Sequence, residues 1–322
     1  ISLPKTVTSV GASAFKNCDA SKIEIEGELS HIGEEAFSGC LLLESVKLSD
    51  ELEVIPYRAF AGCEALTGVK IPKGVKTIAE DAFDGCSAMQ TIIIAATELT
   101  IENSAFAGCE SLTNLKLPKG VTYVGEYAFT NCLTLASLGL SRNLQEIGEY
   151  AFSGCVSLKS VEIPYNTTYV GMGAFAYCTS LTALKTPFIG CSATEDNYLG
   201  AIFGAENHLD SYVIPENLQT LTVNGVCDVA NYAFYGAKSL KYVYLSGEIL
   251  SIGEYSFANC SNLRELHLGP TIQTIHDSAF LNCYTLFEIW NNTALNMACG
   301  SSNYGGIAQY ALAVYGVGGT NL

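Results

Sequence analysis

The chain has 322 residues and a formal net charge of −16, from sixteen Lys and Arg against thirty-two Asp and Glu. Nucleic-acid binding needs clustered positive charge to neutralise phosphates, so an acidic chain without a basic stripe argues against a nucleic-acid partner and against an anionic membrane surface. No run of eighteen apolar residues occurs, so membrane insertion by this sequence is not expected.

The first residues, "ISLPKTVTSVGASAF", are the middle of a pattern that recurs downstream. No signal peptide is seen, and the reading is of a trimmed product whose export signal lies upstream. The pattern is measured by a recurring Phe at Phe15, Phe37, Phe60, Phe83, Phe106, Phe129, Phe152 and Phe175. The steps between them are nearly uniform at about 23 residues, the scale of a solenoid repeat. Phe203 and Phe234 follow after longer gaps, and Phe257 and Phe280 restore the period. About twelve units therefore fill residues 1–290, with insertions expected near 188–202 and 222–233.

Within a unit, Val161 and Ile163 alternate with polar residues and end at Pro164, which reads as a short strand closed by a residue that cannot donate to a ladder. Val69–Ile71–Pro72 and Leu115–Leu117–Pro118 repeat it. A second apolar pair, such as Leu144 and Ile147, carries the chain back across the core. A turn follows, "GEYAFSGC" at Gly148 to Cys155, whose Ala151, Phe152 and Cys155 have the spacing of one helical face. Glu149 sits where a helix start favours negative charge, as do Glu34, Glu80, Glu126 and Glu254, so architecture accounts for much of the acidity. The glycine before that Glu is replaced by Pro56, Ala79, Ala230 and His276 in other units. A position that accepts proline does not demand a left-handed backbone, and the glycines are read as allowing close approach of the neighbouring coil. One unit cannot bury its own apolar face, whereas stacked units bury a continuous core.

The L-x-x-V-x-I-P strand with the A-F-x-x-C turn resembles the BspA-like, treponemal-type class of leucine-rich repeats, over roughly residues 1–290. The resemblance implies an α/β repeat solenoid: a horseshoe with a parallel β-sheet on the concave face and short strands and short helical turns on the other side. It also implies an exported bacterial cell-surface protein that binds other proteins, some relatives being adhesins for host matrix proteins or other cells. Residues 291–322 look like a terminal cap with a short helix, since Ile307, Tyr310, Ala311 and Val314 have helical spacing.

Ten of the thirteen cysteines sit three residues after a repeat Phe. In-register parallel side chains point the same way, which is poor geometry for bridges, so a reduced, buried ladder is expected. No C-x-x-C spacing occurs, and no metal or cofactor is expected. Cys191 and Cys227 lie outside the ladder and are the one pair worth testing for a bridge.

Two places could carry function. The first insertion holds Glu195, Asp196, Glu206, His208 and Asp210, with Glu206 in place of a ladder cysteine, but no hard-cation ligand spacing. Its Phe188, Ile189, Tyr198, Leu199 and Ile202 suggest a loop that packs down. The second place is the exposed sheet face, where the residue between V and I points away from the core. Down the array this column reads Lys47, Lys70, Ile93, Lys116, Gly139, Glu162 and Lys185, then Tyr244, His267 and Trp290, flanked by Tyr242, Glu265 and Glu288. Tyr and Trp dominate interface energetics, so Tyr242, Tyr244, Glu265, His267 and Trp290 form the candidate ligand-binding set, although aromatic residues also favour strands for their own sake. No nucleophile, zinc or phosphate-loop motif is present, and Glu265 with Glu288 is read as surface filling rather than a glycosidase pair. The expectation is a non-catalytic, adhesin-like module binding an extracellular or host matrix protein or another cell-surface protein. The alternatives are a carbohydrate-binding module, whose aromatic faces stack on sugars, and a structural spacer in a larger surface protein.

Overall fold

A computed structural model of the chain describes residues 1–25, 28–194 and 197–318. They fall into two compact units, Ile1–Leu158 with Ala174–Cys178, and Lys159–Gly173 with Thr179–Leu322. Each is built of parallel-paired coils with little helix, the repeat solenoid that the periodicity anticipates.

In the first unit, Gly68–Ile71, Thr91–Ile94, Asn114–Lys116 and Ser137–Gly139 form one parallel sheet. Val69 lies opposite Ile92, and Leu115 opposite Leu138, so equivalent residues form columns. Val69, Ile92 and Leu115 are buried, while Lys70, Ile93 and Lys116 face solvent. The return pair of each coil does more than cross the core. Val54–Ile55, Thr77–Ile78, Thr100–Ile101, Tyr123–Val124 and Glu146–Ile147 make a second parallel ladder.

The third side of the coil departs from the helical reading. The Phe37, Phe60, Phe83, Phe106 and Phe129 N–H groups donate to the carbonyls of Ala59, Ala82, Ala105, Ala128 and Ala151, one coil on, at 2.8–2.9 Å. A helix would spend those groups inside its own coil, and here they tie neighbouring coils together. The chain achieves this by placing left-handed residues on either side of each Phe. Tyr150 has φ 52° and Gly154 φ 75° around Phe152, and Glu35 has φ 55° and Gly39 φ 71° around Phe37. Ala151, Phe152 and Cys155 still face inward and are fully buried.

The repeat Phe rings stack from Phe15 to Phe175 with centroids 5.1–5.6 Å apart and planes within 1–8°. This lies in the range where offset aromatic pairs attract. Beside them runs the cysteine ladder, in which each thiol after Cys18 donates to the Phe carbonyl of the preceding coil, as Cys63 does to Phe37 at 3.2 Å and Cys86 to Phe60 at 3.2 Å. No disulfide joins any of the thirteen cysteines, Cys191 and Cys227 included, and eleven are buried. Burial disfavours the thiolate and pushes Cys86 and Cys283 up to about 12 and Cys227 up to about 11. A thiol-specific colorimetric reagent is therefore expected to label only half-buried Cys18 and exposed Cys299 in the native protein, and the rest only on unfolding. Rapid labelling of most thiols under native conditions would show that the ladder is not in the core.

In the second unit, Ser160–Glu162, Ala183–Thr186, Thr220–Val223, Tyr242–Leu245, Glu265–Leu268, Glu288–Asn291 and Ala313–Tyr315 form a seven-stranded parallel sheet. Its inward column is Val161, Leu184, Leu221, Val243, Leu266, Ile289 and Val314, all buried. The strand spacing places the inserted residues in one stretch rather than two. Leu184 pairs with Leu221 across a long excursion, whereas Leu221 pairs with Val243 at the ordinary interval of the repeat. The excursion between Thr186 and Thr220 packs down through Phe188, Ile189, Leu199 and Ile202, all buried, and forms short 3-10 turns at Leu199–Phe203 and Ser211–Val213. After Asn291 the expected short helix is replaced by a turn at Asn303–Gly306, where Tyr304, Gly305 and Gly306 have φ of 52°, 66° and 79°. Val314 then lies in a strand rather than on a helical face.

Candidate functional site

The outward side chains of the second unit's sheet form two parallel columns, because strand residues alternate sides and the strands are in register. One column runs Ser160, Ala183, Thr220, Tyr242, Glu265, Glu288 and Ala313. The other runs Glu162, Lys185, Thr222, Tyr244, His267, Trp290 and Tyr315. All five sheet-face candidates, Tyr242, Tyr244, Glu265, His267 and Trp290, thus lie on one surface.

The second column ends in a continuous ring stack. Tyr244 and His267 have centroids 4.4 Å apart at 30°, His267 and Trp290 5.3 Å at 5°, and Trp290 and Tyr315 4.5 Å at 28°. Glu265 Oε1 lies 2.5 Å from His267 Nε2 and holds the imidazole within the stack. The Tyr244 hydroxyl is held above the ordinary tyrosine range, first by partial burial and then by the Glu265 charge. The Trp290 indole N–H is buried and has no acceptor among the described residues.

Ring order decides what the surface offers. Each ring's faces are covered by its neighbours, so the rim exposed to solvent consists of ring edges, which carry the positive end of the aromatic quadrupole. A ligand that stacks flat on aromatic faces finds little here, whereas one that packs side chains and carbonyl oxygens against edges finds a strip four rings long.

Two members of this surface escaped the sequence reading. Tyr315 was hidden by the helical spacing of its neighbours, and the wholly apolar "LAVY" carries no period-two signal against it. Thr222 was skipped because the insertion obscured its strand.

Three of the five insertion candidates lie among the described residues. Glu195 and Asp196 lie outside the described residues. Glu206 is exposed, and Asp210 accepts from Asn207 Nδ2 at 2.7 Å. His208 packs on Tyr232, centroids 4.4 Å apart, and Tyr232 stacks on Tyr255. Among the described residues no group of three or more His, Cys, Asp or Glu could hold a metal, and no helix is long and apolar enough to cross a membrane.

Comparison with known proteins adds three findings. The model of the family described as "BspA type Leucine rich repeat region (6 copies)" matches residues 1–112, 99–224 and 207–298. A leucine-rich repeat protein from Bacteroides ovatus is 22% identical, with 98% of this chain and 91% of that one covered and a TM-score of 0.56. A leucine-rich cell surface protein from Faecalibacterium prausnitzii is 21% identical, with 98% and 87% covered and a TM-score of 0.45. No curated protein matches the chain. At these identities the first of the two solved structures speaks for the fold alone.

Proposed function

We infer that this chain, which belongs to the BspA-type leucine-rich repeat family, acts as a non-catalytic protein-binding module at a bacterial cell surface and engages its partner through the ring-stacked sheet face of the second unit. The observation that carries the reading is the stack itself: four aromatic side chains in register on an outward face, next to Tyr242. Such rings contribute nothing to the core, and clustered Tyr and Trp side chains supply much of the energy where proteins meet. The cell-surface setting rests on the family. The partner is an extracellular matrix protein or another cell-surface protein.

The ring order separates this reading from carbohydrate binding. Sugars stack on aromatic faces, and the interior faces of this column are occupied by other rings. The discriminating experiment is a pair of arrays, one of matrix and bacterial surface proteins and one of glycans. The expected result is saturable binding on the protein array that falls at least about ten-fold in the Tyr244→Ala/Trp290→Ala double variant, a loss on the scale of a modest interface hot spot. Unchanged binding by that variant would remove the sheet face from the reading. Saturable binding on the glycan array alone would favour a sugar ligand, and silence on both would leave a structural spacer.

A further inference from the structure

We propose that the sheet face takes a basic side chain of its protein partner, an arginine or lysine seated between the Glu265 and Glu288 carboxylates beside the ring stack. Glu265 and Glu288 are direct partners on adjacent parallel strands. Like charges facing one another across a ladder repel, and a sheet normally avoids them. Three carboxylates elsewhere in the chain are answered differently. Glu53 meets Lys76 at 3.0 Å, Glu162 meets Lys185 at 2.7 Å and Asp50 meets Lys73 at 3.5 Å, each carboxylate answered by the lysine one coil on. One coil on from Glu265 stands not a lysine but Glu288.

No lysine or arginine of the described residues answers the pair. Glu265 lies against the His267 imidazole and beside the Tyr244 hydroxyl, and among the described residues no Lys or Arg nitrogen lies within 4.0 Å of either carboxylate. Lys241 and Arg264, which immediately precede two of the strands, form no ion pair with them. The neighbouring places in the same column are Tyr242 on one side and Ala313 on the other. The small Ala313 side chain leaves Glu288 exposed. A guanidinium or ammonium group entering there would meet two carboxylates, while its methylene stem would lie along the ring edges, as long basic side chains do on apolar surface. The net charge of −16 would draw such a partner in from solution.

The proposal rests on the reading that the ring-stacked face is the docking surface, and its test distinguishes the two. Trp290 is the only tryptophan, so intrinsic tryptophan fluorescence reports from this surface alone. Three short Ser/Ala peptides, one carrying two arginines, one carrying two glutamates in their place and one neutral, are titrated into the intact chain. The expected result is a saturable emission change with the arginine peptide that is at least about ten-fold tighter than with the others and weakens as salt is added. Glu288→Gln should weaken it about three-fold and Glu265→Gln/Glu288→Gln about ten-fold, the scale of partly exposed ion pairs. Glutamine at 265 can still accept from His267, and an unchanged emission spectrum of the free variants shows that the stack survives. Equal titrations for the three peptides, or a double Gln variant that binds as the parent does, overturns the proposal. On the protein array, loss of a target by Tyr244→Ala/Trp290→Ala but not by the double Gln variant overturns the cation alone. Retention by both overturns the docking face with it.

Discussion

Phe83→Ala is expected to lower stability by about 3–5 kcal/mol, the usual cost of deleting a fully buried aromatic ring with incomplete collapse of the cavity. Phe83 is wholly buried and touches a ring on each side, Phe60 at 5.2 Å and Phe106 at 5.1 Å. Its removal breaks two stacked contacts and leaves the carbonyl that Cys109 Sγ uses at 3.5 Å beside a void. Phe15 provides the control within the same chain. It is half-exposed and stacks only on Phe37, so Phe15→Ala should cost about 1–2 kcal/mol, close to the transfer term for a partly buried ring. Denaturant melts of the two variants check the ordering. Equal losses at both positions would mean that the rings do not stabilise as a stack. A stack also predicts where unfolding begins, since a coil array loses order from the unit whose neighbour contacts are broken.

Gly148→Ala is expected to destabilise by about 1–3 kcal/mol without any change in backbone preference. The residue does not have a positive φ, so glycine is not needed for conformation. It is needed for distance: a Cβ there would sit 2.5 Å from Glu126 N and 2.6 Å from the Gly125 carbonyl carbon. These are backbone atoms of the preceding coil and cannot rotate away, so the alanine would push on the Gly148 N–H···O=C Val124 bond, 2.8 Å in the parent. Gly11 occupies the same place in the first coil and has nothing within 4 Å of its would-be Cβ. Gly11→Ala should therefore melt within about 0.5 kcal/mol of the parent. If the two alanines cost the same, close approach is not the reason for glycine in this column.

Those two columns were readable in the sequence because each holds one chemical demand at a fixed interval. The ring that must meet a ring repeats as a letter, while the residue that must leave room does so in only part of the array, since Pro56, Ala79, Ala230 and His276 fill the same place. The thiol ladder was readable for the same reason. The turn beside them was not. The left-handed position after each Phe is mostly Gly or Asn, as at Gly39, Gly62, Asn131 and Gly154, which marks a turn but not the pairing it serves; the position before each Phe is filled by Glu35, Arg58, Asp81, Ser104, Tyr127 and Tyr150, residues with no shared signature for positive φ. The side chains there vary freely, while the pairing between coils that imposes the conformation is a backbone affair.

The placement of the insertion failed for a related reason. Phe203 supplied a plausible mark on the Phe scale, yet it sits in the 3-10 turn Leu199–Phe203. At the place before Leu221 that Phe152 holds before Val161, the chain has Tyr212, which is 82% exposed. Of the candidate site, the identity of five residues on one face was legible from period two alone. Their ring-to-ring order was not, nor was its extension to Tyr315, because both depend on how a coil without the motif is stacked.

The long excursion between Thr186 and Thr220 leaves Leu184 opposite Leu221 in undisturbed register. The sheet therefore does not count the residues that separate its strands; it tests only whether the returning segment offers the right alternation. Such a seam tolerates cargo. A foreign epitope spliced beside exposed Asn207 would be displayed on a scaffold whose remaining coils keep their alignment, which makes this bend a natural point for grafting.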